Sequence, residues 1–184
     1  GSALPLLMNN IQIIHAGISY LQQIQELSRD TFFETFHAVN TPENMQLFLD
    51  AAYNIEKLSN ELNDRDTAFY LLLADDEPAG YIKINFGNTQ TDIKAKQGIE
   101  IERIYVLQKF QGRQFGKILF EKAMDIAKQR GALFIWLGVW EHNLKAIRFY
   151  QKLGFQAISS HPFWLGNDKQ TDIIMKLYLP QNAE

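Results

Sequence analysis

Three groups of residues in this chain have the types and spacing to do chemistry. Gln111-Gly112-Arg113-Gln114-Phe115-Gly116-Lys117 lies between a strand-like run and a helical one. Such an arrangement binds phosphate: glycines let the backbone approach closely, and the free N–H groups of a helix's first turn face the anion with the dipole behind them. Arg113 and Lys117 add positive charge. Taken alone, the loop also reads as a turn whose glycines only solve a backbone problem. Glu100 and Glu102 sit two apart, so both project from one face of the preceding strand. A pair like this is most often a solvated face, yet adjacent carboxylates also attract a cation and help one another hold a proton. Tyr150 shares a helix face with Ala146 and Leu153, where a tyrosine commonly fills core while its hydroxyl finds one partner.

Composition removes several other chemistries. A net charge of -3 argues against general nucleic-acid binding, which needs a basic surface. With no cysteine there is no disulfide, thiolate metal site, thiol redox chemistry or cysteine nucleophile. His15, His37, His142 and His161 show no metal-ligand spacing, so no metal is expected. The longest apolar run, Ala132 to Trp140 broken by Gly138, is far below the ~18 residues of a membrane span. Ser2 to Met8 is too short for a secretory signal and lacks its cationic start; Gly1-Ser2 reads as a cloning remnant. The expectation is a disordered segment over 1–10 and one soluble, cytoplasmic domain over 11–184, at 46% hydrophobic an ordinary globular composition.

The elements that must position these groups follow from periodicity. Ile11 to His15 reads as a short strand, and Leu21, Ile24, Leu27, Phe32, Phe33 and Phe36 recur at helical spacing. Thr41-Pro42-Glu43-Asn44 starts a second helix that Met45 to Tyr53, and then Leu58 and Leu62, could continue. Thr67 to Ala74 and Tyr81 to Phe86 form a hairpin, and Ile99 to Leu107 a third long strand. Lys117 to Arg130 is an amphipathic helix stopped by Gly131, and Leu133 to Trp140 reads as a strand buried on both faces. Asn143 caps a short helix, and strands over about 155–160 and 171–179 finish the chain. This order predicts an α/β sandwich around a mixed sheet.

The stretch Ile101 to Leu107, the loop at 111–116 and Asn143-Leu144-Lys145-Ala146-Ile147-Arg148-Phe149-Tyr150-Gln151-Lys152-Leu153-Gly154-Phe155 together resemble the GNAT family of acyl-CoA-dependent N-acetyltransferases. Thr41 to Met45, Ala79 to Asn85, Trp136 to Glu141 and Gln170 to Met175 look like its PaiA type, bacterial polyamine acetyltransferases. The family's loop has glycine where this chain has Gln114. If that position needs a left-handed backbone, the replacement costs roughly 1–2 kcal/mol.

The resemblance implies a GNAT fold: a mixed, mostly antiparallel sheet of six to seven strands flanked by four helices. Two central strands would splay apart after Val106 and Leu137. It implies acetyl-CoA as cosubstrate, with the backbone of Ile104, Tyr105 and Val106 pairing with the pantetheine arm. Gln111, Gly112, Arg113, Gln114, Phe115, Gly116 and Lys117 would wrap the pyrophosphate, Asn143 would hydrogen-bond the pantetheine region, and Ala146, Phe149 and Tyr150 would line its end. Glu102 matches the family's general-base glutamate and Tyr150 the hydroxyl that protonates the departing thiolate. Glu100 would be a substrate auxiliary or simply surface. Glu34 and His161 are candidate contacts for the acceptor, although a solvated helix face and loop packing explain them as well. The expected partners are acetyl-CoA and a small amine, with a homodimer compatible. Without a cysteine to form an acyl-enzyme, direct attack in a ternary complex is the simpler scheme. Other acceptors (a protein N-terminus, lysine, an amino acid, an aminoglycoside) and a CoA-binding regulator without turnover are the rival readings.

Overall fold

The structure, a computed structural model, describes residues 10–181. The segment expected to be disordered therefore lies, apart from Asn10, outside the described residues. In chain order the elements are β1 (Ile11–Ala16), α1 (Leu21–Phe36), α2 (Pro42–Ala52), α3 (Ile55–Asn63), β2 (Thr67–Ala74), β3 (Glu77–Asn85), β4 (Gly98–Val106), α4 (Phe115–Gln129), β5 (Phe134–Trp140), α5 (Leu144–Lys152), β6 (Gln156–Leu165) and β7 (Asp168–Tyr178).

The seven strands form one sheet in the order β1-β2-β3-β4-β5-β7-β6. Only β4 and β5 run parallel, because the α4 crossover joins them, whereas tight turns join the hairpins. The β2–β3 turn is Asp75-Asp76, both at positive φ, the left-handed pair that matches the twist of a two-residue hairpin. The β6–β7 hairpin is longer than the sequence suggests, because Leu165 pairs with Asp168 across Gly166-Asn167. His161 to Trp164 is thus strand rather than loop, and Pro162 is tolerated there because β6 is an edge.

Five helices stand where four were expected. The segment read as one second helix is two, since Tyr53 ends α2 and the Asn54 side chain accepts the Lys57 N–H to start α3. Helices α4 and α5 cover one sheet face, packing Leu119, Ala123 and Tyr150 with Leu72, Ile82, Ile101 and Ile135. Helices α1 to α3 cover the other, where Ile24, Phe32, Met45 and Leu58 meet Phe69, Leu71 and Tyr81.

At the centre the sheet comes apart. Pairing of β4 with β5 runs from Gly98↔Phe134 to Ile101↔Leu137 and stops there, while β5 stays paired with β7 through Trp140↔Asp172. The β5 side of this fork is where the family resemblance puts it; on β4 it opens at Ile101 rather than after Val106. The reason lies on the other side of β4. Lys83 faces Arg103 and Ile84 faces Ile101, so Glu102 is an extra residue, a β-bulge that turns the strand away from β5. Past the bulge the alternation resets, and Arg103 and Tyr105 point toward α1 to α3 while Ile104 and Val106 join the opposite core.

Gly80 sits opposite Val106 beyond the bulge, and a Cβ there would lie 2.7 Å from the Tyr105 carbonyl oxygen. Gly80→Ala should destabilise the fold by about 1–3 kcal/mol. Urea denaturation should show this as a lower midpoint with an unchanged slope.

Candidate active site

The fork opens into a cavity of about 1420 Å³ between the start of α4 and the underside of α1 and α2. Of the residues expected to hold the cosubstrate, Ile104, Tyr105, Val106, Gln111, Gly112, Gln114, Phe115, Gly116, Lys117, Asn143, Ala146, Phe149 and Tyr150 all line it. Arg113 lies outside that wall, its guanidinium 5.6 Å from the centre of the Phe110 ring.

The loop at 111–117 has the geometry of an anion cradle. Gln114 adopts φ 64 and ψ 21, the left-handed conformation in which glycine would be unstrained, and Gly112 has φ 83. Gln114 is the N-cap of α4 but no side chain caps that end, so the first-turn amides at the cavity wall stay open for a ligand. A Cβ on Gly116 would meet only Phe149 Cζ, at 3.7 Å. The fold therefore does not require glycine at 116. Gln111 is fixed at both ends, donating to the Val106 carbonyl and accepting from Lys145 Nζ. Asn143 caps α5 through the Ala146 N–H, as its sequence position suggests. Tyr150 is buried, its hydroxyl has no hydrogen-bond partner among the described residues, and burial pushes its pKa up, so it stays protonated. A protonated hydroxyl beside a departing thiolate can act as an acid.

The carboxylates behave differently from the sequence reading. Glu100 is 3% exposed and does not line the cavity. Its oxygens accept from Asn85 Nδ2, Thr91 N and Thr91 Oγ1 at 2.9, 2.9 and 2.6 Å. Burial raises its pKa against the pull of those hydrogen bonds. It is buried rather than surface, stands off the cavity wall, and ties the β3–β4 loop to β4. Glu102 does line the cavity, but it stands within 3.0 Å of Lys83 Nζ and 3.2 Å of Arg103 Nε and accepts from Asn85. Burial works to raise its pKa, and Arg103, Lys83 and Asn85 outweigh it, bringing the value to about 2. Glu61 of α3 completes the cluster, 3.2 Å from Lys83 and 3.1 Å from Arg103. Two cations hold this carboxylate in its ionised form, which makes Glu102 a weaker proton acceptor than the expected general base would need to be.

Glu34 lines the cavity and accepts the Gln108 N–H. His161 does not; it pairs with Asp92 at 3.1 Å, cross-strand from Asp172. Asp172 itself lines the cavity, a site residue that sequence reasoning missed. Burial raises its pKa, Asp92 adds to the rise and His161 opposes it, leaving it at about 6. Lys83, Arg103 and Glu61 were missed as well. For Lys83 a signal existed, since it is a charge among Tyr81, Ile82 and Ile84, and buried charges need a partner or a purpose. Among the described residues no cluster of three or more potential metal ligands occurs, and no helix is long and apolar enough to cross a membrane.

Comparison with known proteins bears on this geometry. A family model described as Acetyltransferase (GNAT) family matches residues 21–155. An uncharacterised N-acetyltransferase from the pepI 3' region of Lactobacillus delbrueckii subsp. lactis is 40% identical over 169 residues, covering 92% of this chain and 98% of that protein. A spermidine N(1)-acetyltransferase of Thermoplasma acidophilum is 27% identical over 151 residues, covering 80% of this chain and 89% of the relative. The crystal structure of the PaiA N-acetyltransferase of Thermoplasma acidophilum in complex with coenzyme A superposes with a TM-score of 0.75 at 25% identity. That superposition covers 92% of this chain and 99% of the other.

Two outcomes follow from the site. Gln114→Gly should raise stability by about 0.5–1 kcal/mol, left-handed strain offset by glycine's entropy, with CoA affinity equal or tighter by calorimetry. Glu102→Gln should lower stability at pH 7 by on the order of 2–3 kcal/mol, because Lys83 and Arg103 lose a counter-charge but keep Glu61. The Glu102 pKa is depressed from 4.5 to about 2, so its contribution is complete above 4.5 and vanishes as pH falls through 2. Urea midpoints of parent and variant should converge over that window.

Proposed function

The chain belongs to the acetyltransferase (GNAT) family and is an acyl-CoA-dependent N-acetyltransferase, and we propose that its acceptor is a primary amine of a small polycation, of the polyamine class. The observation that carries this reading is the placement of two carboxylates without a salt-bridge partner among the described residues. Glu34 on α1 and Asp172 on β7 both line the cavity, from elements on opposite sides of the fork. A molecule with two or more ammonium groups matches two separated anionic points, and a monoamine matches only one. Aromatic rings of Phe36, Phe48, Tyr53, Trp140 and Phe163 line the space around them, a wall suited to methylene chains and cations. The similarity to a spermidine acetyltransferase supports the same class.

The residues present fit the cosubstrate, since the open amide end of α4 and the vacant side of Gly116 form a cradle a pyrophosphate can enter. Residues 111–117 would hold that group, with Lys117 and Lys145 at the cavity wall contributing charge. The backbone of Ile104 to Val106, left without a β5 partner, would hold the pantetheine arm, and Asn143, Ala146 and Phe149 its end. Bound there, acetyl-CoA supplies an activated acetyl thioester. Tyr150 donates a proton to the sulfur as the C–S bond breaks. Glu102, ionised at any working pH, remains a fixed anion at the fork. The described residues 10–181 form a single sheet with helices on both faces, which supports the reading of one domain.

An amine panel followed by thiol release tests the reading. Spermidine or spermine should be turned over more efficiently than monoamines of similar length, with a preference that fades as salt screens the carboxylates. Glu34→Gln should raise KM for spermidine roughly fivefold, the effect of one partly screened ion pair, and leave a monoamine unchanged. Equal changes for both acceptors would reject the polyamine assignment. Tyr150→Phe should lower kcat while CoA affinity stays within about twofold by calorimetry; full parental kcat would remove Tyr150 from the chemistry.

A further inference from the structure

A protonated amine cannot attack a carbonyl, so an N-acetyltransferase site must first take a proton from its acceptor. Glu102 is committed to Lys83 and Arg103. The other carboxylate at the fork is Asp172. It stands cross-strand from Trp140 at the end of the β5–β7 ladder, on the sheet face that carries Gly138 and Trp140. Pairing of β4 with β5 has ended one residue earlier, at Leu137, so Gly138 is the first β5 residue of the open fork. The Asp172 carboxylate lies over Gly138 in close contact: a Cβ there would lie 3.3 Å from Asp172 Oδ2. The carboxylate lines the cavity and has no hydrogen-bond or salt-bridge partner among the described residues.

We propose that Asp172, through its position over Gly138 at the mouth of the fork, accepts the proton of the attacking amine. The assignment rests on the acetyltransferase reading above. The ammonium gives one proton to Asp172, which passes it to solvent. Its nitrogen lone pair then forms the N–C bond as the C–S bond breaks. A second nitrogen proton is lost to solvent, and the sulfur receives the proton of Tyr150, whose hydroxyl is restored from solvent. The groups around Asp172 suit this duty. Tyr105 faces it from β4, where burial holds the phenol neutral, and Asp172 itself adds to that effect. His161 on β6 and Asp92 in the β3–β4 loop stand 3.1 Å apart beside it, and they act on its proton affinity in opposite directions, His161 lowering it and Asp92 raising it. The resulting value of about 6 leaves the carboxylate ionised at neutral pH and still able to take a proton.

Carboxyl-carbon NMR on Asp-labelled protein reads this directly, with the Asp172 signal identified by its loss in Asp172→Asn. The expected result is titration near 6 in the free protein and a shift of that signal on adding spermidine. Asp172→Asn should lower kcat for spermidine at pH 7 by roughly 10²-fold or more. The loss should be much smaller for an alkoxyamine, which is already neutral at that pH, and CoA affinity should not change. His161→Asn should move the acidic limb of kcat/KM to higher pH and Asp92→Asn should move it lower. The proposal is overturned if the signal titrates at the ordinary aspartate value without responding to spermidine. It is equally overturned if Asp172→Asn, folded by thermal melt, keeps kcat within threefold or loses the same factor on both acceptors. Failure of the acceptor reading would look different: the parent would bind CoA and acetylate no polyamine, while the NMR titration, which needs no turnover, would still decide on Asp172.

Discussion

The bulge at Glu102 is the constraint on which the site depends. One extra residue in β4 breaks the register against β3 and turns the strand off the line of β5. Every parallel ladder bond lost past Ile101 leaves backbone groups of β4 without a strand partner, and a buried polar backbone tolerates that only where something else can pair with it. An extended pantetheine arm would satisfy that requirement as another strand does. The opening of the cavity and the interruption of the sheet are therefore one structural event.

The bulge also decides the electrostatics. Because Glu102 and Arg103 both come to the side of Lys83, four charged groups from β3, β4 and α3 condense into one cluster beneath the acceptor end. Arg103 further rests against the rings of Tyr53, Phe69 and Tyr81. Such a cluster costs desolvation for each ion and is tolerable only when every partner is present. Its effect here is to pin α3 to the sheet and to quench two carboxylates that would otherwise dominate the pocket. The carboxylates left to face an acceptor are those the cluster does not reach, Glu34 and Asp172.

Glu100 shows the same economy of position. It lies two residues from Glu102 and shares Asn85 with it, yet Thr91 and the covering loop enclose it. That loop is itself anchored by Gln90, which donates to the Gly87 and Ala95 carbonyls and accepts from Trp136 Nε1. A polar stretch that reads as an unstructured connector thus forms one buried wall of the acid cluster.

What the sequence determined by itself was local and periodic. The strand–loop–helix grammar around Gln111 to Lys117, the caps at Thr41 and Asn143, the existence of the β2–β3 hairpin, though not its two-residue turn, and the apolar run of β5 depend on neighbours within a few residues, and short-range spacing encodes them. The left-handed backbone at Gln114 was foreseeable on the same terms, from a loop pattern with glycine at that place. What only the tertiary structure decided was the protonation chemistry. Alternation along β4 cannot reveal a bulge, because the extra residue is defined by its pairing with β3. Arg103 is Glu102's neighbour in the chain, but Lys83 and Glu61 reach that cluster from 19 and 41 positions away, and His161 and Asp92 reach Asp172 from 11 and 80, so neither carboxylate's surroundings can be read from one strand. The charge state of a buried carboxylate is set by the groups within a few ångströms of it, and in this fold those groups meet only once the sheet has closed around its fork.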